Sequence, residues 1–323
     1  MQTRTLRTAI HRSVLAALAS AATAGAGCAC PESIVVSPLG DGGLPDGISG
    51  FNSDRSLTSA ECSQLCQNRA TRCQIVHTCT TPTCPTGTGA LGVACNEVLF
   101  CPVSGRRPEG FVAGIEPSRE IARTAAFFAY VTQLESASIA AFDRLASELQ
   151  THGAPPSLVS AARQSARDEI RHARLAATIA TEHGIPTEPP TFEPEIATRS
   201  LFDVALENAV EGCVRETYGA AAAGFQAARA GDPTIREISA QIARDEARHA
   251  ALSWKIAAWT DAKLGPAERS AIALALRAAV DTLRCELRIE PDASVRDLAG
   301  IPSAADARRL MDSLDASLWS RAA

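Results

Sequence analysis

The sequence has few aromatic residues, no excess of basic residues and no long apolar run. Aromatic side chains make up 4% of the chain, so a hydrophobic core must be built mainly from small aliphatic side chains. The formal net charge is −5, which gives no electrostatic reason to expect nucleic acid as a partner. The apolar run at residues 13–22 is shorter than the roughly 20 residues that a membrane-spanning helix needs. That run is therefore not predicted to cross a membrane.

Cysteine is nearly absent from the last two-thirds of the chain. Nine of the eleven cysteines lie between Cys28 and Cys101, and only Cys213 and Cys285 follow them. This uneven distribution predicts a domain boundary shortly after the last of the nine. The nine contain no C-x-x-C pair, which argues against a rubredoxin-type iron centre.

Residues 1–27 have the pattern of an export signal. Arg4, Arg7 and Arg12 form a basic start, and an uncharged apolar run follows at residues 13–22. Small residues in A-x-A order then provide cleavage sites between residues 22 and 26. The alternative is an Ala-rich helix of a cytosolic protein. The pattern favours an exported protein of the periplasm or cell envelope.

A lipid anchor is a second prediction for the same region. The sequence Gly25-Ala26-Gly27-Cys28 resembles a lipobox, although Gly25 stands where Leu is usual. If Cys28 carries lipid, eight cysteines remain up to Cys101, an even number that can form four disulfides. Membrane association is expected only through this lipid, and a soluble exported protein is the alternative.

The next two segments are predicted to be a flexible linker, residues 28–59, and a disulfide-stabilised irregular segment, residues 60–105. The linker is rich in Gly, Pro and Asp and has no hydrophobic period. The second segment holds closely spaced cysteines among Thr, Pro and Gly, so cross-links would substitute for a core. Zinc binding through Cys73, His77 and Cys79 is the alternative. The sequence does not identify a protein partner for this segment.

Residues 116–323 are predicted to form one all-α domain. Ser, Asp or Pro marks the helix starts, and Gly marks several of the ends. The six predicted helices cover 118–150, Ser157 to before Gly184, Ser200 to Gly231, Asp232 to about 262, 267–289 and 303–319.

The connections between these helices predict their topology. Helices one and two are joined by a short turn, as are helices three and four, so each pair should be an antiparallel hairpin. Helices two and three are separated by residues 185–199, a stretch that can reach roughly 50 Å at about 3.3 Å per residue. Two hairpins joined by one long crossover make a four-helix bundle, here spanning 118–262 and followed by extra C-terminal helices.

Two near-copies of one octad indicate a metal site. Residues 166–173 read ARDEIRHA and residues 243–250 read ARDEARHA. Each copy holds a Glu and a His three residues apart, so both side chains lie on one face of a helix. Two such helices facing each other would bring two carboxylates and two imidazoles to one centre. The alternative is a bundle whose surface charges happen to repeat.

The other two helices should each add a matching carboxylate. Glu135 lies 34 residues before the first octad glutamate, and Glu211 lies 35 residues before the second. Choosing Glu207 or Glu216 would give spacings of 39 or 30, so Glu211 is preferred. Four carboxylates offset the charge of two divalent ions, and oxygen-rich ligation favours Fe or Mn over Zn or Cu. The predicted ligands are Glu135, Glu169, His172, Glu211, Glu246 and His249.

Further residues near the octads have predicted roles. Asp168 and Asp245 are expected to accept the proton on the non-coordinating nitrogen of the histidine on the facing helix, or else to lie on a solvated face. Arg171 and Arg248 are expected on the side away from the site. Tyr218 is a candidate for a hydrogen bond near the metals or for electron transfer, with core packing as the alternative. Two other residues, Cys213 and Cys285, are expected to be core residues or a disulfide pair.

This set of glutamates and Glu-x-x-His pairs resembles the ferritin-like superfamily of ferritins, bacterioferritins, rubrerythrins and related di-iron oxidases. The resemblance covers about residues 118–262 and implies a ferritin-like bundle whose cofactor is two Fe ions, with Mn as the alternative. It also implies that Fe(II) reacts with O2 or peroxide. The rubredoxin domain of rubrerythrins is missing, and the N-terminal arm and extra C-terminal helices argue against a ferritin cage.

Three functions are compatible with these observations. The first is an exported ferroxidase or iron-handling oxidase. The second is a di-iron oxidase or oxygenase of an organic substrate, bound beside the small residues Gly219 to Gly224. The third is a non-enzymatic metal-binding envelope protein whose Cys-rich segment binds a partner.

Overall fold

A computed structural model of the chain describes residues 123–190 and 198–321, three strands at 33–38, 73–78 and 90–97, and residues 8, 10, 12, 65 and 106. The chain divides into two compact units. One unit comprises Cys28–Cys101, and the other comprises Met1–Gly27 together with Pro102–Ala323. The predicted cleavage sites, Cys28 and most of the linker lie outside the described residues, as do the N-terminal arginines 4 and 7.

The unit Cys28–Cys101 contains a three-stranded antiparallel sheet. Its strands are β1 (Ser33–Pro38), β2 (Cys73–Thr78) and β3 (Ala90–Glu97), in the order β1-β3-β2. The prediction of an irregular segment is therefore wrong at β2 and β3, and the predicted linker is wrong at β1. Pairs of β-branched residues in SIVVSP and CQIVHT favour strands, and they were outweighed in the sequence by the surrounding Gly, Pro and Cys.

The second unit is helical within its described residues. Its first hairpin consists of α1 (Arg123–Thr151) and α2 (Pro156–Glu182), which pack along their length. Gly153 adopts a φ of 70° in the turn between them, a conformation that glycine adopts without steric cost. The second helix begins at Pro156 after Pro155, so the predicted capping role of Ser157 is wrong. Proline suits a first helical turn because its missing N–H would have no partner there.

The third helix consists of three parts. They are α3 (Leu201–Glu207), a π-helix (Asn208–Glu216) and α4 (Thr217–Arg229). The Ser200 side chain accepts a hydrogen bond from the Asp203 amide and so caps the start. The sequence predicted an uninterrupted helix here, because the hydrophobic pattern does not distinguish a local π-helix from an α-helix.

The second hairpin is completed by α5 (Pro233–Asp261), which packs against α4, the π-helix and α2. Asp232 caps α5 by accepting hydrogen bonds from the amides of Thr234 and Ile235. The hydrophobic core contains many alanines, as the scarcity of aromatic residues requires. Within the described residues, no helix is long and apolar enough to cross a membrane.

Three further helices follow. They are α6 (Pro266–Glu286), α7 (Ala293–Ala299) and α8 (Ala304–Ser317), with a 3₁₀ turn at Trp319–Arg321. The sequence missed α7, which is too short to show a helical period. The described C-terminal elements pack on the second hairpin: α6 contacts the π-helix and α8 contacts α4. Ile10, from the predicted export signal, is buried in the same core cluster as these helices.

Candidate metal centre

The two octads face each other on α2 and α5 and lie in the interior of the helical unit. Their four candidate ligands, Glu169, His172, Glu246 and His249, are each less than 5% exposed. Helix α1 contributes Glu135, and the end of the π-helix contributes Glu216. Two groups of side chains result, each with its ligand atoms within 4.8 Å of one another: Glu135, Glu169, His172 and Glu246 form one group, and Glu216, Glu246 and His249 form the other.

The two octad glutamates lie between the two histidines. His172 Nδ1 is 3.4 Å from both Glu169 Oε2 and Glu246 Oε1. His249 Nδ1 is 3.0 Å from Glu169 Oε1 and 3.6 Å from Glu246 Oε1. Glu169 and Glu246 are therefore placed to bridge two ions, each of which also has one imidazole.

The two remaining glutamates each approach only one histidine. Glu135 Oε2 lies 3.9 Å from His172 Nδ1, and Glu216 Oε2 lies 3.7 Å from His249 Nδ1. This arrangement places Glu135 at one end of the cluster and Glu216 at the other end. Both are suited to bind one ion terminally.

The hydrogen bonding of the cluster fits a metal site. Buried polar groups in proteins normally have hydrogen-bond partners, and leaving them without one is costly. Here a group of buried atoms lacks such partners, and all of them face the cluster: both carboxylate oxygens of Glu169 and Glu216, Oε2 of Glu246, and Nδ1 of His172 and His249. These are the atoms that a divalent metal ion would bind, so the residues present fit a metal.

Without a metal, protons must balance the charge of the cluster. Burial and the neighbouring carboxylates raise the pKa of Glu135 and Glu216 above the ordinary value. Although burial opposes it, hydrogen bonds with the two histidines lower the pKa of Glu169 to about 2. The pKa values of both histidines are raised despite their burial, because each faces several carboxylates. Metal binding would replace these protons and release them to solvent.

Each octad aspartate contacts the histidine of the other helix. His172 Nε2 lies 3.2 Å from Asp245 Oδ2, and His249 Nε2 lies 3.4 Å from Asp168 Oδ2. This is the crosswise arrangement that the sequence predicts. An Nε2–H that donates to an aspartate leaves Nδ1 unprotonated and aimed at the cluster, so the aspartates determine which nitrogen can bind a metal.

The octad arginines lie beside the aspartates, and their expected position away from the site is therefore wrong. Arg171 donates to Asp168 and also to Asp245, and Arg248 contacts the same two aspartates. Each arginine thus connects α2 to α5. The reason is local: positions i and i+3 share a helix face, so each arginine lies above the aspartate of its own octad.

The structure does not bring Glu211 into either group of candidate ligands. Its carboxylate lies 3.7 Å from Arg215 instead, and Glu216 occupies the position that the sequence assigned to Glu211. Two features explain the correction. A π-helix has more residues per turn than an α-helix, which changes the face on which each side chain lies. The second hairpin is also shorter above the site than the first.

A different counting rule would have found Glu216. It lies 13 residues before the end of α4 at Arg229, and Glu246 lies 13 residues after the start of α5 at Pro233. Residues equally far from the turn of an antiparallel hairpin lie level with each other. The spacing of 34 residues in the first hairpin does not transfer, because Glu135 lies 16 residues before Thr151.

Tyr218, the predicted catalytic residue, is buried in a hydrophobic cluster and is not among the candidate ligands. Burial and the charge of Asp306 on α8 raise its pKa. It follows Glu216 by two residues, which on an α-helix corresponds to roughly the opposite face. Core packing, the alternative from the sequence, describes its surroundings.

The two cysteines of the helical unit do not pair with each other. Cys213 is a buried free thiol, and burial raises its pKa to about 12. Cys285 is disulfide-bonded. The predicted disulfide between the third and fifth helices is therefore wrong, while the core position of Cys213 agrees with the alternative.

Comparison with protein families supports this description. Residues 123–257 match the family model of the ferritin-like domain. This stretch contains both hairpins and all six clustered side chains, so the helical unit carries a ferritin-like domain. Comparisons with curated proteins and with solved structures gave no match.

Proposed function

We propose that this protein is an exported, ferritin-like protein that holds two iron ions in the buried cluster and oxidises Fe(II) with O2 or peroxide. The observation that carries the proposal is the set of buried ligand atoms without hydrogen-bond partners, arranged around two positions. The two hairpins α1–α2 and α3–α5 would form the four-helix bundle of this family, with the crossover at residues 183–200 between them.

The donor set favours iron or manganese over softer metals. Four carboxylates and two imidazoles provide hard oxygen ligands and one nitrogen for each ion. Four negative charges offset those of two divalent ions and leave little net charge in the core. When bound, two Fe(II) ions supply two electrons, enough to reduce one peroxide to water with two protons.

The residues of the chain have distinct proposed roles. Glu169 and Glu246 bridge the two ions, and Glu135 and Glu216 each hold one ion from the ends of the cluster. His172 and His249 bind through Nδ1, which remains free because Asp245 and Asp168 face Nε2. Arg171 and Arg248 hold the aspartates in place. The near-complete burial of the cluster limits access of water to the reacting ions.

The alternative of an organic substrate finds little support in the helix that was expected to contain its cavity. Ala220, Ala221 and Ala222, within the small-residue run, are buried in the same hydrophobic cluster as α6 and α8. These residues therefore serve as packing for the C-terminal helices. Iron itself remains the substrate that the described residues favour.

The proposal is tested by loading the metal-free, full-length protein with Fe(II) under anaerobic conditions and then adding O2. Ferric iron, followed by near-ultraviolet absorbance, should form without any organic substrate and should form again after further Fe(II) is added. The Glu169→Gln variant should lack this activity, while Glu211→Gln should retain it as a matched control.

Other outcomes would contradict the proposal in different ways. O2 uptake that requires an added organic compound would indicate an oxygenase. Bound iron that remains Fe(II) in air would indicate a structural metal. Absence of metal binding would overturn the metal site itself.

Export and lipidation are also proposals. Mass spectrometry of the protein isolated from its native host should show a chain that begins at Cys28 with a lipid mass. A chain that begins at Gly25 or Gly27 with unmodified Cys28 would show export without lipid. A chain that retains Ile10 would contradict export by this signal, and would agree with the burial of Ile10 in the helical core.

A further inference from the structure

Arg106 is a fully buried arginine that lies outside the stretch matched by the ferritin-like family model. Its guanidinium donates to Glu207 at 3.0 Å and to the Asn208 side chain at 2.9 Å. Its backbone carbonyl accepts a hydrogen bond from Ser138 on α1. Burying a guanidinium is costly unless it is paired, so this arginine fixes the residues that it contacts, at the first turn of the π-helix.

Trp319 holds the same π-helix from the other end of the chain. It is fully buried and also lies outside the family match. Its indole N–H donates to the carbonyl oxygen of Cys213 at 2.9 Å, in the middle of the π-helix. A buried indole normally requires such a partner, and the interaction connects the C-terminal turn to this one backbone position.

The π-helix is packed closely on the side of Arg106. A Cβ atom added at Gly212 would lie 2.5 Å from Ser253 Oγ and 2.7 Å from a terminal guanidinium nitrogen of Arg106. Asn208, which accepts from Arg106, also donates to the Ser253 carbonyl on α5. The π-helix is therefore held at its start by Arg106, Asn208 and Ser253 and at its middle by Trp319.

The position of Glu216 depends on this π-helix. Glu216 is its last residue and faces His249 at one end of the cluster. If residues 208–216 returned to α-helical geometry, the smaller number of residues per turn would rotate Glu216 relative to α3. Short π-helical segments are uncommon and require support from their surroundings.

We propose that Arg106 and Trp319 are positioning residues that hold the π-helix and so keep Glu216 at the metal centre. They come from either side of the ferritin-like domain and act on the same nine residues. The inference rests on the proposed function for its metal, but the restraint on the π-helix is a property of the chain alone. Loss of either residue should weaken the ion position next to His249 and spare the position next to His172.

The test uses Co(II), whose visible absorption reports each bound ion without redox chemistry, in the full-length protein and its variants. Arg106→Lys and Trp319→Phe keep much of the bulk of each side chain and remove specific hydrogen bonds. Each should weaken binding of one of two Co(II) ions by about tenfold or more, in the range for residues that support metal ligands. Trp259→Phe is the matched control, because Trp259 on α5 is half-buried and stacks with Lys263.

A double-mutant cycle separates positioning from general destabilisation. In a Glu216→Gln background, Arg106→Lys and Trp319→Phe should cause no further change in Co(II) binding, because the residue on which they act is already altered. Equal weakening of both ions, or the same added weakening in the Glu216→Gln background, would overturn the inference. Unchanged binding of both ions by the single variants would also overturn it.

Hydrogen exchange distinguishes failure of this inference from failure of the proposed function. In the metal-free protein, the amides of residues 208–216 should exchange faster in both variants, while those of α2 should not change. If the wild type binds no Co(II), the proposed function fails, and this exchange result still decides whether the two residues restrain the π-helix. Unchanged exchange at 208–216 would overturn the restraint.

Discussion

The first and second hairpins of the helical unit differ in one helix and agree in the other. Their octad helices, α2 and α5, present the same Glu, His, Asp and Arg positions and make the same crosswise contacts. Their partner helices differ: α1 is a regular α-helix carrying Glu135, whereas the third helix is interrupted by a π-helix that ends at Glu216. Equivalent carboxylates thus reach the cluster by different backbone geometry, and the surroundings of the third helix determine its register.

The largest expected effect separates Glu216 from Glu211. Glu216→Gln should bind one divalent ion per chain, because the carboxylate at one end of the cluster is lost. Glu135→Gln should also bind one ion, by the equivalent loss in the first hairpin. Glu211→Gln should bind two. Anaerobic equilibrium dialysis followed by elemental analysis measures these numbers, and loss of an ion only in Glu211→Gln would restore the original assignment.

The symmetry of the octads predicts two equal effects of intermediate size. Asp168→Asn and Asp245→Asn should each lower metal affinity by about 10–100-fold, the usual range for groups that orient a ligand histidine. Asp143→Asn, an exposed aspartate on α1, is the matched control and should have no effect. A large effect of one octad aspartate without the other would show that the two ion positions are not equivalent.

The smallest expected effect concerns the stability of the metal-free protein. Burial raises the pKa of Glu135 and Glu216, so their charged forms destabilise the folded state at neutral pH. Glu135→Gln and Glu216→Gln should therefore each raise the free energy of unfolding by about 1 kcal/mol. Glu169→Gln should lower it, because the pKa of Glu169 is reduced to about 2 and its charged form is favoured.

The pH dependence of this effect has a definite sign. A carboxyl group with a raised folded-state pKa costs stability as pH rises from about 4.5 through that raised value. Thermal unfolding in chelator should show that the Glu135→Gln and Glu216→Gln double variant loses less stability over this window than the wild type. Equal losses would contradict the assigned pKa directions.

The sequence was informative where spacing alone determines geometry. Each Glu-x-x-His pair lies within one helical turn, so the shared faces of Glu169 with His172 and of Glu246 with His249 follow from local periodicity. The assignment of Glu211 depended on equal hairpin lengths and on a regular third helix. Neither condition holds, because the arm after Glu216 is three residues shorter than that after Glu135 and the π-helix changes the register.

Long-range contacts were not accessible from the sequence. Arg106 and Trp319 are separated from the π-helix by about 100 residues in each direction, and no periodic pattern links such positions. The contacts of Arg171 and Arg248 were accessible, since each arginine follows its octad aspartate by three residues. The strands of the Cys-rich unit were missed because short β-branched runs are weak signals among Gly, Pro and Cys.

The most direct test of the account is an anaerobic titration of the metal-free, full-length protein with Fe(II), with bound iron counted at each step. The account predicts saturation at two irons per chain, with release of protons as the ligands lose them, and loss of both irons in Glu169→Gln because that carboxylate approaches both histidines. No saturable binding in the wild type, or two irons retained by Glu169→Gln, would contradict the assignment of the buried cluster as a dinuclear metal centre.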